Sequence, residues 1–374
     1  MATSQGYGKT VTSGSIFAYD VGDTRNSLKG EPTTNVATGT LYPYTPYNTM
    51  TRDGQNLTFT MVGNSALYLT VHNGTNYNGQ IITLSGYMFK NGVPYALPYP
   101  RANTYHTVAA IEWHFDNVTG YFEIVENCNA SSVWLFHTPS GANGGDVITI
   151  KDFQVEVKSH ATPFVNGTRS TTQGLIDLTG NSSIDLANVS FDSNAQIAFD
   201  GTNDNIAGGA SANYLPLPTH SLEACIKSPG LGSGMGTGAI FGITYGLTVQ
   251  IASNGSLSYH AYNTDNGSSV ALFAISSTGV NLFDDNWHHI VCTRDASNVN
   301  IYIDGVLNTT ASNGGTWTGT NIWASMNMLI GTNPNNVHYY FNGNIDVAKI
   351  YNRALTTAEV NQNYRHYKTR FNLS

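Results

Sequence analysis

Cleaving a glycosidic bond by acid–base chemistry takes two facing carboxyl groups, roughly 5–5.5 Å apart when one of them is the nucleophile. On a β-strand only alternate residues share a face, so the pattern to look for is Glu-x-Asp-x-Glu. The chain contains none. Residues 171–374 hold only two glutamates, Glu223 and Glu359, and Glu359 is spoken for by a helix cap. Glu123 and Glu126 are three apart, so a strand turns them to opposite faces as solvated carboxylates. No catalytic residue is assigned, and an aspartate-pair glycan hydrolase is the enzymatic alternative. His288 and His289 are adjacent, so on a strand they diverge and cannot grip one ion. A serine triad lacks its Gly-x-Ser-x-Gly elbow. Cys128, Cys225 and Cys292 show no CxxC spacing for zinc, and their odd number argues against a disulfide framework.

Binding is better supplied than catalysis. A pyranose has an apolar CH face and hydroxyl edges, so a sugar site sets aromatic rings beside hydrogen-bonding groups. Loop-like candidates are Tyr262 and Asn263 in Tyr262-Asn263-Thr264-Asp265-Asn266, Trp317 in Gly315-Thr316-Trp317-Thr318-Gly319, and His338-Tyr339-Tyr340. Further toward the amino terminus are the tyrosine-rich stretches 42–47 and 95–99. Trp113 and Trp287 fall inside strand patterns and read as core. Packing on a neighbouring chain would account for the loop aromatics equally well.

These side chains need a β framework, and the composition supplies one. Charged residues make up 11% of 374, against about 25% in an average soluble domain. Polar surface must then come from Asn, Thr, Ser and Gly. Tyr, Thr and Val suit half-buried strands, while Gly and Asn suit turns. Strands are expected at 57–62, 80–84, 109–115, 121–125, 146–157, 196–199, 247–251, 289–293 and 345–351. Val299, Ile301 and Ile303 alternate up to Asp304-Gly305, the preferred pair for a type I′ hairpin turn. One helix is expected near the end. Thr356-Thr357-Ala358-Glu359 is a capping box, Leu355 and Val360 form a hydrophobic staple, and Val360, Tyr364 and Tyr367 share a face.

The net charge of -8 comes without any basic run, which excludes a nucleic-acid partner held by phosphate neutralisation. No stretch of 18 apolar residues exists, so no membrane span is expected. The first residues, MATSQGYGKTVTSGS, lack the apolar core of a signal peptide. The expected origin is therefore synthesis in a cytoplasm. Frequent Asn-x-Ser/Thr triplets, as at Asn73, Asn188 and Asn308, read as Asn/Thr richness.

Three stretches resemble the laminin-G-like, concanavalin A-like jelly roll. They are Ile197-Ala198-Phe199-Asp200-Gly201, Asn286-Trp287-His288-His289-Ile290-Val291 with the Asp304-Gly305 hairpin, and Phe341-Asn342-Gly343-Asn344-Ile345-Asp346 running through Ile350-Tyr351-Asn352-Arg353 into the capped helix. Cys225 stands where the family often has Trp. A second stretch, Val147-Ile148-Thr149-Ile150-Lys151-Asp152-Phe153-Gln154-Val155-Glu156, resembles the last strand of a carbohydrate-binding jelly roll. Ala161-Thr162-Pro163-Phe164 is similar to the tail that follows it in phage structural proteins. The resemblance implies an all-β chain of two jelly-roll sandwiches. Residues 1–30 would carry the first strand of the carboxyl-terminal domain, 31–169 a carbohydrate-binding-module-like jelly roll, and 170–374 the laminin-G-like domain. Gly14-Ser15-Ile16-Phe17-Ala18-Tyr19-Asp20 resembles a strand that elsewhere leads almost directly into a stretch like 175–181, so the first jelly roll would be an insertion.

The same resemblance implies a non-enzymatic virion protein of a tailed phage, a tail fibre or surface decoration whose lectin-like modules engage host-surface carbohydrate. A purely structural spacer, such as a capsid decoration protein, is the alternative. Its partners would be other virion proteins and further copies of itself, as a homo-oligomer, here a trimer. Structural calcium is the implied cofactor. The opening and closing strands would bring Asp200 or Asp204 near Asp346, and Asp152 would match a calcium ligand of the other jelly roll. Turn capping by these aspartates is the competing reading.

Overall fold

A computed structural model describes residues 9–38, 40–43, 48–61, 68–72, 76–96, 110–128, 133–136, 144–191, 196–214, 217–243, 247–265, 268–316, 327–334 and 339–373. The chain opens with β1 (Ser15–Asp20). There follow β2 (Thr33–Thr34), β3 (Thr40–Pro43), β4 (Asn48–Asp53), β5 (Asn56–Met61), β6 (Tyr68–His72), β7 (Gln80–Lys90), β8 (Val93–Pro94), β9 (Ala110–Phe115), β10 (Tyr121–Cys128), β11 (Val133–Phe136), β12 (Val147–Glu156) and β13 (Thr168–Arg169). Next come β14 (Asp185–Ala187), β15 (Ser190–Phe191), β16 (Ile197–Asp200), β17 (Asn205–Ala210), β18 (His220–Lys227), β19 (Thr237–Ile243), β20 (Leu247–Ala252), β21 (Leu257–Asp265) and β22 (Ser268–Ser276). The chain closes with β23 (Trp287–Arg294), β24 (Asn298–Ile303), β25 (Val306–Ser312), β26 (Asn327–Ile330), β27 (Asn342–Tyr351) and helix α1 (Thr357–Phe371). Among the described residues the protein is all-β apart from this helix and short 3-10 turns. No helix among the described residues is long and apolar enough to cross a membrane.

Two compact units share the chain. One joins Met1–Gly30 to Thr171–Ser374, and the other is Glu31–Ser170. The larger unit is a sandwich. Its first sheet has the order β15-β16-β27-β18-β23-β24-β25, with β1 also on β27, and its second runs β14-β17-β26-β19-β20-β21-β22. β1 lies antiparallel to β27, with Phe17 opposite Ile350 and Tyr19 opposite Ala348. The stretch 175–178 runs beside β1, where Asp177 Oδ1 accepts from the Ala18 amide at 2.9 Å and the Ala18 carbonyl takes the Leu178 amide. Strand alternation builds the core between the sheets: Phe17, Tyr19, Leu222, Ile290, Ile301 and Ile350 meet Val249, Ile251, Tyr259 and Phe273. Truncating one such buried aromatic costs about 3–5 kcal/mol. The hairpin at Asp304-Gly305 has φ of 50° and 77°, the pair of positive values that a type I′ turn requires.

The first sheet's other face is covered by α1. The capping box forms as expected, with Thr356 Oγ1 accepting from the Glu359 amide and Glu359 reaching back to the Thr356 amide. Val360, Tyr367 and Phe371 are buried against Val291, Val347 and Cys225. Asn363 is buried among them.

The smaller unit has a main sheet of order β4-β5-β12-β7-β10-β9, with β8 on β7, a three-stranded sheet β11-β6-β3, and a β2–β13 pair that joins the unit's two ends. Leu57, Phe59, Leu84, Phe122, Ile124, Ile148 and Ile150 form its core. Asn35 ties this unit's edge together, donating to the Phe153 and Val165 carbonyls while its Oδ1 takes the Ala37 and Val155 amides. One expectation fails here. Trp113 reads as core but is 43% exposed, because β9 is the outermost strand and its ring extends past the core.

Candidate functional site

The second sheet of the larger unit has an outer side, turned away from the core, and the alternation of β21 decides what it displays. Leu257, Tyr259 and Ala261 turn into the core. Ser258, His260 and Tyr262 therefore turn outward, each half-buried. Antiparallel register extends these into rows. Thr248 lies opposite His260 and Gly242, and His260 opposite Ala274. Gln250 lies opposite Ser258 and Ala239, and Ser258 opposite Ser276.

Glycine at 242 is what lets this face be partly roofed. A Cβ there would sit 2.5 Å from the Thr332 carbonyl oxygen and 2.7 Å from Asn333 Cα, so the segment 332–334 crosses directly over it. Asn333 Nδ2 donates to Thr248 Oγ1 at 3.2 Å. Further along, the Tyr339 carbonyl takes the Ala239 amide at 2.9 Å. Beside this roof the His260 and Tyr262 rings meet edge to face, centroids 5.4 Å apart. Burial lowers the His260 pKa, so its imidazole is neutral at pH 7, with one donor and one acceptor. Tyr262 and His260, with the hydroxyl and amide groups of Ser258 and Gln250, offer a ring face ringed by neutral hydrogen-bonding groups. The described side chains in these rows include no carboxylate, so they supply no acid–base pair.

Of the expected sugar-site residues, Tyr262 and Tyr339 border this face but not one pocket. The Tyr339 backbone meets the Ala239–Gln250–Ser258 row, whereas Tyr262 is four residues further along β21, roughly 13 Å. Tyr262 and Asn263 were expected in a loop and instead continue β21, because the β21–β22 ladder runs on to Asp265 opposite Ser268 after a register slip at Ala261. The Asn263 side chain, Trp317 and His338 lie outside the described residues, as do parts of 42–47 and 95–99. His260, Gln250 and Ser258 were missed, although the alternation from Leu257 to Tyr262 already marks them as one face.

The calcium candidates separate. Asp200 Oδ1 caps the Thr202 amide at 2.7 Å, and Asp204 Oδ2 accepts from the Asp200 amide at 2.8 Å. Burial, with the Asp200 charge adding to it, raises the Asp204 carboxyl. Asp346 is not beside them. Asp200 pairs with Asn342, four residues before Asp346. The Asp346 carboxylate instead takes the Ile197 amide at 3.1 Å and faces Arg370 at 3.9 Å. Asp152 takes a positive φ of 52° where β12 slips register against β7, and its amide donates to Asn56 Oδ1 at 3.2 Å. Among the described residues no three His, Cys, Asp or Glu side chains converge as metal ligands, short of the six to eight oxygens calcium takes.

Beneath α1 lies a polar cluster that no local signal announced. Glu223 is fully buried, its Oε1 2.8 Å from His289 Nε2 and its Oε2 accepting from Tyr351 Oη and Asn363 Nδ2, both at 2.8 Å. Burial opposes its ionisation, but the Lys349 charge and the hydrogen bonds from His289 and Tyr351 prevail and hold the carboxyl at about 2. Under the helix Glu223 is out of reach of any substrate. His288 points the other way, as adjacent strand residues must, with Nδ1 2.8 Å from Asp304 and Nε2 3.2 Å from Asp284. Glu123 and Glu126 also diverge. Glu123 is engaged, taking the Ala161 amide at 2.7 Å and the Tyr121 hydroxyl at 3.3 Å, while burial raises Glu126 to about 7.

Two antiparallel sheets, packed face to face and closed by one helix, make the larger unit a jelly-roll sandwich. Residues 200–361 match the family model described as the concanavalin A-like lectin/glucanases superfamily, so this stretch is a concanavalin A-like domain. No curated protein matches the chain. Among solved structures, the binding domain of Paraclostridial Mosquitocidal Protein 1 is 15% identical over 52% of this chain and 49% of that one, with a TM-score of 0.40. The binding domain of Botulinum Neurotoxin DC in complex with SialylT is 16% identical over 52% and 50%, TM-score 0.39. The Ruminococcus gnavus IT-sialidase CBM40 bound to alpha2,3 sialyllactose is 16% identical over 41% and 90%, TM-score 0.33. The chain spans about half the length of the two toxin binding domains it matches.

Proposed function

We propose that the protein is a non-catalytic glycan-binding protein and that the outer face of β19–β22 takes the sugar. The observation that carries this reading is the half-buried Tyr262–His260 ring pair set among neutral hydroxyl and amide groups. A pyranose would stack its CH face on the Tyr262 ring and exchange hydrogen bonds with the neutral His260 imidazole beside it, while Ser258 and Gln250, roughly 13 Å along the face, would meet a further residue of an oligosaccharide. The lectin-type family match supports it. The burial of Glu223, one of only two glutamates in 171–374, supports binding over hydrolysis.

The proposed setting is the virion of a tailed phage, as a tail fibre or surface decoration engaging host-surface carbohydrate, assembled as a homotrimer with other virion proteins. Phage-like segments and low charge, which suits surfaces that bury one another, support that setting. A glycan array probed with the purified chain tests the binding reading. Selective binding that Tyr262→Ala abolishes supports it, and an array blank at micromolar protein favours the spacer alternative. Release of reducing ends from any bound glycan, lost on changing one aspartate, contradicts the non-catalytic part.

A further inference from the structure

The smaller unit carries an aromatic strip on one side of its main sheet. In its main sheet Lys151 of β12 lies opposite Tyr87 of β7, and Tyr87 opposite Tyr121 of β10. Directly paired residues of antiparallel strands project on the same side, so the three side chains form one row. Leu84, Met88, Phe122 and Ile124 point the other way, into the core, so the row is on the sheet's outer side. The Tyr87 and Tyr121 rings lie 5.5 Å apart, inclined at 62°, and the His114 ring continues the strip 6.4 Å from Tyr121. Lys151 Nζ stands 5.1 Å over the Phe89 ring. Tyr87 is 36% exposed, and Lys151 and His114 are exposed as well.

The tail that follows β12 crosses a different part of the same side. Glu123 takes the Ala161 amide, Gln154 Nε2 reaches the Thr162 carbonyl at 3.0 Å, and Glu156 accepts from the Thr162 amide at 2.9 Å. That contact engages two carboxylates of the sheet: Glu156 is buried under the tail, and both oxygens of Glu123 are occupied. It leaves the Lys151–Tyr87–Tyr121 row open. Lys151 makes no ion pair among the described residues, where Lys158 and Lys227 each have one.

We infer that the Lys151–Tyr87–Tyr121 row is a second saccharide site, independent of the β19–β22 face, and that it takes an acidic sugar. The row crosses three strands, roughly 10 Å at 4.7–4.9 Å per strand, and so accommodates a disaccharide laid across them. The exposed Tyr87 ring and the half-buried Tyr121 ring beside it suit the CH faces of pyranoses. A lone ammonium at one end of the row, in a chain of net charge -8, selects a carboxylate-bearing sugar over a neutral one. At the other end His114 supplies a hydrogen bond, and the Tyr121 hydroxyl, whose proton goes to Glu123, can accept one.

The test uses the whole chain and isothermal titration with trigalacturonate and sialyllactose, each beside a neutral counterpart, cellotriose and lactose. Wild-type protein is expected to bind at least one acidic probe and to bind its neutral counterpart about tenfold or more weakly, and Tyr87→Ala to lose about tenfold in affinity. Lys151→Ala should lose affinity for the acidic probe and, with it, much of the salt dependence. Both side chains are exposed, so unchanged melting temperatures will show that the fold is intact. Tyr262→Ala leaves this binding unaltered, which separates it from the site on the larger unit. The inference is overturned if no acidic probe binds, if neutral and acidic probes bind alike, or if Tyr87→Ala and Lys151→Ala bind as the wild type does.

Discussion

Removing the charge at Glu223 should destabilise the larger unit by an amount the structure lets one work out. The carboxylate is fully buried between the first sheet and α1, with three hydrogen-bonding partners and the Lys349 ammonium nearby. Among the described residues Lys349 Nζ has no hydrogen-bond partner, and it rests 5.1 Å from the Tyr367 ring. In Glu223→Gln that ammonium loses the charge of Glu223. Depressing the carboxyl from an ordinary 4.5 to about 2, at 1.36 kcal/mol per pH unit, corresponds to about 3 kcal/mol. The independent expectation for breaking a buried ion pair, about 3–5 kcal/mol, agrees. For a domain of this size each kcal/mol moves the melting temperature by roughly 2–4 °C, so E223Q should melt at least about 6 °C lower at pH 7. The sign of the pH dependence is fixed by the downward shift. The stabilisation is complete above the unfolded pKa, near 4.5, and is lost as pH falls toward 2. Calorimetric melts at pH 7 and pH 3 should therefore show wild type and E223Q converging in acid. A constant difference between them across that range, or no difference at pH 7, refutes the reasoning.

Thr356→Ala removes the helix cap and should cost about 1 kcal/mol, read as a melting shift of a few degrees; no shift would mean that α1 is held by its buried face alone. His288 is opposed by burial, but its bonds to Asp304 and Asp284 raise its pKa. Its contribution is full below the ordinary 6.5 and fades as pH rises through the raised value, so NMR titration should place its midpoint above 6.5, and a midpoint below contradicts the pairing. Gly242→Ala forces the 332–334 crossing off the sheet and should cost about 1–3 kcal/mol, together with glycan affinity; wild-type melting and binding would show that the crossing adapts freely.

Much of the β framework is legible in the sequence because its signals are local. The Asp304-Gly305 turn, the alternation of Val299, Ile301 and Ile303 and the Thr356–Glu359 box each specify a conformation within a few residues, and each is found. The strand expected at 57–62 is β5 (Asn56–Met61). The strand expected at 80–84 runs on to Lys90, since Gly86 reads as a turn former but sits here in mid-strand. Trp113 looks like core by its pattern, yet a pattern cannot say that β9 ends the sheet. The Glu223 cluster is the plainest case of what is hidden. Its members come from β18, β23, β27 and α1, and only sheet register and helix docking bring them together. The outer face of β19–β22 lies between these extremes. The alternation around His260 can be read, but the roof made by 332–334 depends on a contact between residues some ninety positions apart.

Sugar binding by the outer face of β19–β22 is measured by titrating the best glycan from the array into wild-type protein and Tyr262→Ala at equal pH and salt. Loss of the stacking ring should weaken binding by about tenfold or more with the melting temperature unchanged. Equal affinity of the two proteins for that glycan would contradict the assignment of this face.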